Sequence, residues 1–313
     1  SAPFGKEVFT SHLASLAHLS NVDLVGYCDL VPDLLDDFER DWAARWPNAS
    51  RYTSHKEMLD KEGLDILGVA TGDNVHAAIA LDAVKAGVKG IYVEKPMATN
   101  LEDADRMIKA CEDNGVVFSV DHTRRWSPLH HKARDAVRAG EIGPLRTIVA
   151  TLGGERAMLF RNGTHLIDNV VFYAESEPVK VFAQLEDGFD HWDKYRGDGG
   201  KLPENEPGAS GYILFKNGVR ALYCGTKETL GEYSLILSGA EGRIHIDSMS
   251  SAALETEGKG GEKVTRQLVP DHYQVHGLVA AYQEIIDNIE NGGEGVSSGR
   301  EARKTVQIMT GFL

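Results

Sequence analysis

The chain has 313 residues, 42% hydrophobic and 26% charged, a composition typical of a globular protein and a length that favours two domains over one. Its formal net charge of −14 at pH 7 argues against nucleic-acid and anionic-membrane partners, which require basic patches. The sequence contains no run of 18 apolar residues, so no membrane span is predicted. Three scattered cysteines, Cys28, Cys111 and Cys224, are too few for a disulfide framework or a zinc cage and indicate free thiols in a reducing, cytoplasmic compartment.

The first part of the chain alternates short apolar runs with helical patterns. Strands are predicted over residues 23–28, 64–70, 88–93 and 116–120, and helices over residues 8–19, 32–45, 75–86 and 100–114. Such alternation is typical of βαβ units on a parallel sheet. We therefore interpret residues 1–123 as a Rossmann-like, doubly wound α/β domain that binds a dinucleotide. Because no strand precedes the first helix, the first strand of this fold is expected upstream of Ser1.

Residues 124–313 have a different pattern. A helix is predicted over residues 129–139, strands over residues 145–151, 179–185, 211–215, 219–224, 233–237 and 243–246, and helices over residues 272–291 and from residue 300. Asn217-Gly218 is a strong signal for a two-residue hairpin turn. This half is predicted to be an α+β domain with a mostly antiparallel open sheet. The segment 187–208, rich in Asp, Gly and Pro, is either a functional surface loop or a disordered excursion, and the helical pattern that still runs at Leu313 indicates a trimmed chain.

The tripeptide Glu94-Lys95-Pro96 directly follows a predicted strand. In a doubly wound sheet, the carboxyl ends of the strands border the ligand crevice. Lysine loses its proton easily when it is desolvated, so Lys95 is a candidate proton donor or acceptor. The alternative is an ordinary strand end whose charges face water, and the tripeptide alone favours that alternative.

Asp29 follows the predicted strand 23–28 and is the candidate for cofactor choice. At this position of a dinucleotide fold an acidic residue bonds the ribose hydroxyls, whereas NADP-binding versions tend to have arginine. Asp29 therefore favours NAD over NADP; its alternative role is to cap the following turn. Gly5 is the remaining candidate for the glycine loop whose amides meet the pyrophosphate.

A second polar run, from Thr71 to His76, follows the predicted strand 64–70 and includes Asp73 and Asn74. Small and polar groups at this strand end suit a neighbouring nicotinamide or ribose. For His76 alone, the start of a helix is a better explanation than catalysis.

The other half contains a second constellation, Gly163-Thr-His-Leu-Ile-Asp168. His165 and Asp168 are three residues apart, so on a helix they share a face. An imidazole titrates near neutrality, and a carboxylate on the same face can hold or bias it. With Lys95 across a domain crevice, these groups could move a hydroxyl proton while a hydride leaves for nicotinamide.

Together these motifs resemble those of the Gfo/Idh/MocA oxidoreductases, a family that includes inositol, glucose and other sugar dehydrogenases. The resemblance covers nearly the whole chain and is carried by Ala70-Thr71 with His76, Glu94-Lys95-Pro96-Met97-Ala98, Gly163-Thr-His-Leu-Ile-Asp168 and Gly239-Ala-Glu-Gly-Arg243. It implies an N-terminal Rossmann domain and a C-terminal open-sheet domain that binds substrate and often forms the oligomer interface, in a homodimer or homotetramer.

The resemblance also implies roles for individual residues. Lys95 would bind the reacting hydroxyl and the nicotinamide ribose, His165 would be the catalytic histidine and Asp168 its helix acid. The residues that it predicts to bind the cofactor are Gly5, Asp29, Thr71, Asp73, Asn74, His76, Glu94, Lys95 and His122. Those that it predicts to contact substrate are Arg124, Arg125, Trp126, Arg161 and His165, with Trp126 offering an apolar face to a sugar ring.

The chain departs from the family pattern at three places. Arg161 stands four residues before His165, where an aspartate is often found, and Gly72-Asp73 replaces the usual Pro-Asn. Gly5 stands seven residues ahead of His12, where a shorter spacing is usual. Because arginine pairs bidentately with carboxylates, Arg161 could meet an anionic group such as a uronate carboxylate. Equal and unchanged KM values for acidic and neutral sugars in Arg161→Ala would contradict this hypothesis.

The function predicted from these motifs is NAD(P)-dependent hydride transfer between nicotinamide and a sugar, sugar acid or cyclic polyol. Two alternatives remain open: an NAD-dependent glycoside hydrolase or lyase of the same fold, and a dinucleotide-binding regulator without catalysis. No metal site is predicted, because His130-His131 and the pair His272 and His276 lack acidic partners at ligand spacing.

Overall fold

A computed structural model describes residues 11–197, 202–270 and 277–313. Gly5, the start of the helix predicted over residues 8–19, and His272 and His276 lie outside these residues. The described part of that first helix is α1, His12–Leu16, which Ser11 caps by accepting a hydrogen bond from the amide of Ala14.

The N-terminal half consists of short parallel strands alternating with helices, as predicted. After α1, its elements are β1 (Gly26–Cys28), α2 (Pro32–Trp42), β2 (Ser50–Tyr52), α3 (His55–Glu62), β3 (Ile66–Val69), α4 (His76–Ala86), β4 (Gly90–Val93), α5 (Leu101–Asp113) and β5 (Val117–Val120). The sequence did not predict β2 or α3, whose residues are mostly polar. By contrast, all four residues of β4 are buried, as expected for a parallel strand covered on both faces.

The strands form two parallel groups. In one, β1 pairs with β2; in the other, the order is β3-β4-β5. In the doubly wound order 3-2-1-4-5-6 these groups correspond to strands 3-2 and 4-5-6, and among the described residues no strand joins them.

The C-terminal half is built on one large sheet. Its elements are α6 (Pro128–Arg138), β6 (Leu145–Gly153), α7 (Gly163–Ala174), β7 (Pro178–Leu185), β8 (Ala209–Phe215), β9 (Arg220–Thr226), β10 (Glu232–Gly239), β11 (Gly242–Asp247), β12 (Ser251–Glu257), β13 (Lys263–Gln267), α8 (Gly277–Asn291) and α9 (Gly299–Gly311). The eight strands have the order β13-β12-β11-β10-β6-β9-β8-β7, and all pairs are antiparallel except β6 with β9. The predicted α/β plus α+β fold class is confirmed.

Two details separate prediction from structure in this sheet. The hairpin at Asn217-Gly218 is present, with Gly218 at a φ of 88° that glycine adopts without strain. The edge strand β13 and its neighbour β12 were not predicted; β13 is exposed along its whole length and has no apolar alternation. None of the described helices is long and apolar enough to cross a membrane.

The two faces of the large sheet differ. One face carries the core against α7, which is buried along nearly its whole length. On the other face the pairing register places five apolar side chains directly opposite one another across five strands: Phe182, Tyr212, Leu222, Val149 and Ile236. Phe182 is 74% exposed and Leu222 49% exposed, so this apolar row is open at one end.

The last two helices return to the first half. Tyr282 and Ile285 of α8 pack in one cluster with Tyr92 of β4, and Ala302 and Val306 of α9 join the core beneath the N-terminal sheet. The chain therefore crosses between the halves more than once, and the division at residues 123 and 124 stays a prediction from sequence.

Candidate active site

The candidate site begins at one edge of the N-terminal sheet. Thr71 lies just after β3, Lys95 just after β4 and His122 just after β5. Because β3, β4 and β5 are parallel neighbours, these three positions lie along the same carboxyl edge, where doubly wound folds bind their ligands. The peptide bond between Lys95 and Pro96 is cis.

Lys95 extends from this edge to the other half of the molecule. Its Nζ donates a hydrogen bond of 3.0 Å to the backbone carbonyl oxygen of Arg161, in the turn that precedes α7. Burial lowers the pKa of Lys95, and the positive charge of Arg161 lowers it further, against the opposing effect of Glu94. The ammonium is therefore a better proton donor than an exposed lysine.

A buried carboxylate holds the turn that receives Lys95. Oε1 of Glu206 accepts hydrogen bonds from the amides of Phe160, at 2.5 Å, and Arg161, at 2.9 Å. Glu206 is almost fully buried, and burial raises its pKa. No sequence motif predicts this contact, because Glu206 lies in a loop that is distant in sequence from Phe160 and Arg161.

His165 lies in the first turn of α7, half-buried. Burial lowers its pKa well below the usual value, and the nearby charges of Lys95 and Arg124 lower it further. Its Nδ1 is buried and has no hydrogen-bond partner among the described residues. The imidazole is therefore neutral at neutral pH and can accept a proton from a bound hydroxyl.

Asp168 is not placed as the partner of His165. Its Oδ2 accepts a hydrogen bond of 2.8 Å from Nε of Arg125, and its Oδ1 accepts one of 3.2 Å from Thr305 of α9. The same Oδ1 lies 3.1 Å from Nδ1 of His122. Asp168 packs inward against Arg125 and Thr305, so its carboxylate joins the two halves instead of contacting the imidazole.

Three further predictions are corrected by burial. Arg125 is 2% exposed, and its guanidinium also donates to the carbonyl of Val296 at 2.7 Å, so it supports the site instead of facing substrate. Trp126 is 7% exposed and donates from Nε1 to Glu284, so its ring belongs to the core and offers no face to a sugar.

The third is His122, which is 2% exposed rather than open to the cofactor. Its ring lies edge-on to that of His165, with the ring centroids 6.3 Å apart. Burial lowers its pKa to about 4. His122 therefore lies as a neutral ring between His165 and Asp168.

The strand ends that were predicted to bind the cofactor remain accessible. Thr71 and Asn74 are exposed. Asp29 is partly exposed, and its Oδ1 accepts a 2.8 Å hydrogen bond from the amide of Val31. It therefore caps the turn after β1, which was its alternative predicted role. His76 is fully buried, with its ring nitrogens 3.0 and 3.3 Å from the carbonyl oxygens of Pro96 and Thr71; it joins the two loops and does not face solvent.

A segment of the long loop also reaches this edge. The ring of Tyr195 stacks on Phe160 with centroids 3.9 Å apart, and its hydroxyl donates to Oδ2 of Asp73 at 2.5 Å. A side chain at Gly197 would meet the amide of Asn74 at 2.7 Å, so the backbone passes close to the turn after β3. We call residues 187–197 the strap; it is held to the site through Tyr195, although most of its other residues are exposed.

Glu94, predicted to contact the cofactor, faces α1. Its Oε1 lies 3.4 Å from Nε2 of His12. Hydrogen bonding to His12 and the charges of His12 and Lys95 outweigh burial and lower the pKa of Glu94 to about 2. Burial and the charge of Glu94 raise the pKa of neighbouring Asp121 to about 7, so the two carboxyls hold one proton between them below that pH. The ligand atoms of His12, Glu94 and Asp121 lie within 4.8 Å of one another, a spacing at which a cation could be held, and the sequence did not predict this group.

The donor set fits a nicotinamide dinucleotide. A partly exposed carboxylate follows β1, exposed polar side chains follow β3 and a lysine follows β4. These are the groups that bond ribose hydroxyls and border the crevice in doubly wound folds. The position that would supply pyrophosphate amides, Gly5, lies outside the described residues.

Comparison with known proteins gives the same assignment. A sequence profile named GFO_IDH_MocA, an oxidoreductase family with the NAD-binding Rossmann fold, matches residues 5–122. Myo-inositol 2-dehydrogenase of Thermotoga maritima is 22% identical over an alignment that covers 93% of this chain and 90% of that protein. D-apiose dehydrogenase of Paraburkholderia graminis is 25% identical over 96% of this chain and 82% of that protein.

A solved structure extends the likeness to the fold of both halves. Aldose-aldose oxidoreductase from Caulobacter crescentus superposes with a TM-score of 0.77 at 22% identity and covers 95% of this chain and 90% of that chain. The predicted resemblance is confirmed by the profile and by the relatives that span nearly the whole chain. Residues 5–122 therefore match the NAD-binding Rossmann fold of the Gfo/Idh/MocA oxidoreductases, and inositol and sugar dehydrogenases align with nearly the whole chain.

Proposed function

We propose that the protein is an NAD-dependent dehydrogenase of a sugar, sugar acid or cyclic polyol. The observation that carries this proposal is the meeting of Lys95 and His165 from opposite halves, close enough for the charge of Lys95 to lower the pKa of His165. A protonated lysine beside a neutral imidazole is the pair that a hydroxyl requires to lose a proton while its carbon loses a hydride. The sugar and polyol dehydrogenases among its relatives support the substrate class.

Lys95 and His165 have different roles in the proposed proton transfer. Lys95 donates a hydrogen bond to the reacting oxygen and stabilises its developing negative charge. His165 accepts the hydroxyl proton, which its depressed pKa allows at neutral pH. Glu206 fixes the turn that carries Arg161, and so keeps the Lys95 side chain in place. NAD, when bound, supplies the hydride acceptor.

A substrate panel tests the function. Purified protein is incubated with aldoses, cyclitols and uronates and with NAD or NADP, and nicotinamide absorbance is followed. We expect NAD-dependent turnover of at least one hydroxyl compound. Glycosidic cleavage without net NADH would point to the hydrolase or lyase alternative, and cofactor binding without any turnover would point to the regulator.

Asp29 gives a prediction about cofactor choice. Its Oδ1 accepts a hydrogen bond from the Val31 amide, and its carboxylate stays partly exposed after β1. We expect Asp29→Ser to raise KM for NAD about tenfold, the loss of one hydrogen bond to a charged group, and to raise the NADP to NAD preference ratio. Initial rates with both cofactors measure this. The matched control is Asp33→Ser in the first turn of α2, and an unchanged preference ratio in Asp29→Ser would contradict the assignment.

We further infer that the protein forms a homo-oligomer through the apolar row of the large sheet. Five apolar side chains aligned across β7, β8, β9, β6 and β10 form the kind of face that a second copy covers. We expect Phe182→Glu to shift the protein from a dimer or tetramer to a smaller species in light scattering, with unchanged circular dichroism. The control is Val264→Glu on the exposed edge strand β13; a wild-type monomer would contradict the inference.

We propose a reducing, cytoplasmic compartment from the state of the three cysteines. Cys28, Cys111 and Cys224 are all free, and burial raises the pKa of Cys111 to about 12. Free thiols without a disulfide partner suit a reducing, cytoplasmic compartment.

A further inference from the structure

The wall of the site beside His165 carries an arginine that the reaction scheme does not use. Arg124 is partly exposed, and its guanidinium carbon lies 4.0 Å from the centroid of the Tyr233 ring. Its Nε is buried and has no hydrogen-bond partner among the described residues. Its positive charge is among the causes that lower the pKa of His165, so it lies near the reacting groups.

Three acidic residues near the site already have partners. Asp168 binds Arg125, Asp73 accepts the Tyr195 hydroxyl and Glu94 faces His12. Within the described part of the chain, no carboxylate lies within ion-pair distance of Arg124. A cation that is left without an anionic partner beside a catalytic centre, in a chain with a net charge of −14, is a binding group for an anion.

The neighbouring residues fix the orientation of this guanidinium. The hydroxyl of Tyr233 donates a 2.8 Å hydrogen bond to Oδ1 of Asn169, which holds the ring against Arg124. Asn169 is fully buried, and its Nδ2 has no partner among the described residues. It lies four residues after His165 on α7, so the amide and the imidazole share one helix face.

Stacking on an aromatic face leaves the edge of a guanidinium available. That edge presents parallel N–H donors, which match the two oxygens of a carboxylate. A group that only donates suits a planar oxyanion better than a hydroxyl, which both donates and accepts.

We propose that the substrate carries a carboxylate, which Arg124 binds bidentately beside the carbon that reacts at Lys95 and His165. The substrate class is thereby narrowed to sugar acids, such as uronates, within the function proposed above, on which this inference rests. Arg161 lies on the Lys95 side of the crevice and adds positive charge there.

The test compares a uronate with its neutral isostere. D-glucuronate and D-galacturonate are paired with the corresponding uronamides, which replace the charged oxygen by an amide of the same shape. Binding to the NAD-loaded protein is measured by calorimetry, and kcat/KM is measured where turnover occurs. Wild type, Arg124→Met, Arg124→Lys and the control Arg106→Met, an exposed arginine of α5, are compared, with circular dichroism as the test of folding.

We expect at least one uronate to bind about 10- to 100-fold more tightly than its uronamide, the range for a hydrogen-bonded charged group. Arg124→Met should abolish this ratio, Arg124→Lys should restore part of it and Arg106→Met should leave it unchanged. Uronates that bind no better than uronamides, or a ratio that survives in folded Arg124→Met, would overturn the inference. Turnover of neutral sugars in that case would leave the dehydrogenase function intact, whereas tight uronate binding with no turnover of any compound would contradict the function and support the carboxylate site.

Discussion

Replacing Lys95 with methionine is expected to lower kcat about 10³-fold, the scale for removing one charged donor from a developing oxyanion. Methionine keeps most of the volume and apolar contacts of the lysine stem, so the fold should be unaffected. The measurement is steady-state turnover with NAD and the preferred substrate, together with NAD binding followed by fluorescence. Lys89→Met is the control, because Lys89 is exposed and pairs only with Asp65 at the surface.

The same variant should change the pH profile. The charge of Lys95 is one of the causes that lower the pKa of His165, so its removal raises that pKa. A base with a raised pKa is protonated over a wider range, and the acid limb of the kcat profile should therefore move to higher pH. Full activity in Lys95→Met, or an unmoved acid limb in its residual activity, would contradict the pairing of Lys95 with His165.

Asp168→Asn is expected to lower the free energy of unfolding by about 3–5 kcal/mol, the range for breaking a buried ion pair. Asn keeps the shape of the side chain but leaves the buried Arg125 guanidinium without its counter-ion. Urea unfolding monitored by tryptophan fluorescence measures the change. Asp60→Asn, an exposed acid in α3, is the control and should change stability by less than about 0.5 kcal/mol.

A double variant separates the two roles of Asp168. If its carboxylate mainly balances Arg125, then Asp168→Leu combined with Arg125→Met should recover much of the stability that Asp168→Leu loses, because two apolar side chains replace a buried pair. A small stability loss in Asp168→Asn together with a large loss of kcat would instead restore the interpretation that Asp168 tunes His165.

The sequence predicted the elements whose burial leaves a local pattern. The strand Gly90–Val93 is buried throughout, and its apolar run identified it. The helix Leu101–Asp113 buries residues at spacings of three and four and begins at Asn100, whose side chain caps it. The short strand Ser50–Tyr52 and the exposed strand Lys263–Gln267 have no such pattern, since their pairing is set by neighbours distant in sequence.

The sequence predicted the central residues of the site but not the contacts of the residues around them. Lys95 and His165 belong to motifs that are contiguous in sequence, so reading along the chain found them. The adjacent residues Arg124 and Arg125 are the same in type, yet one stacks on Tyr233 and the other is buried against Asp168. A single sequence cannot separate them, because the partners come from other parts of the fold.

Glu206 and Tyr195 illustrate the same limit more strongly. Both lie in a loop that has no periodicity, and both act through contacts with residues that are distant in the chain. The composition of that loop indicated only that it was exposed and polar. The role of the loop follows from the positions of Tyr195 and Glu206 in the folded chain.

The strap has a consequence for the order of events in a turnover. Tyr195 stacks on Phe160 in one half and hydrogen-bonds to Asp73 in the other, so it acts as a latch across the crevice. Any swing that separates the two halves must break the hydrogen bond, the ring stack or both. If exchange of a bound dinucleotide requires the two halves to separate, it therefore requires these contacts to break.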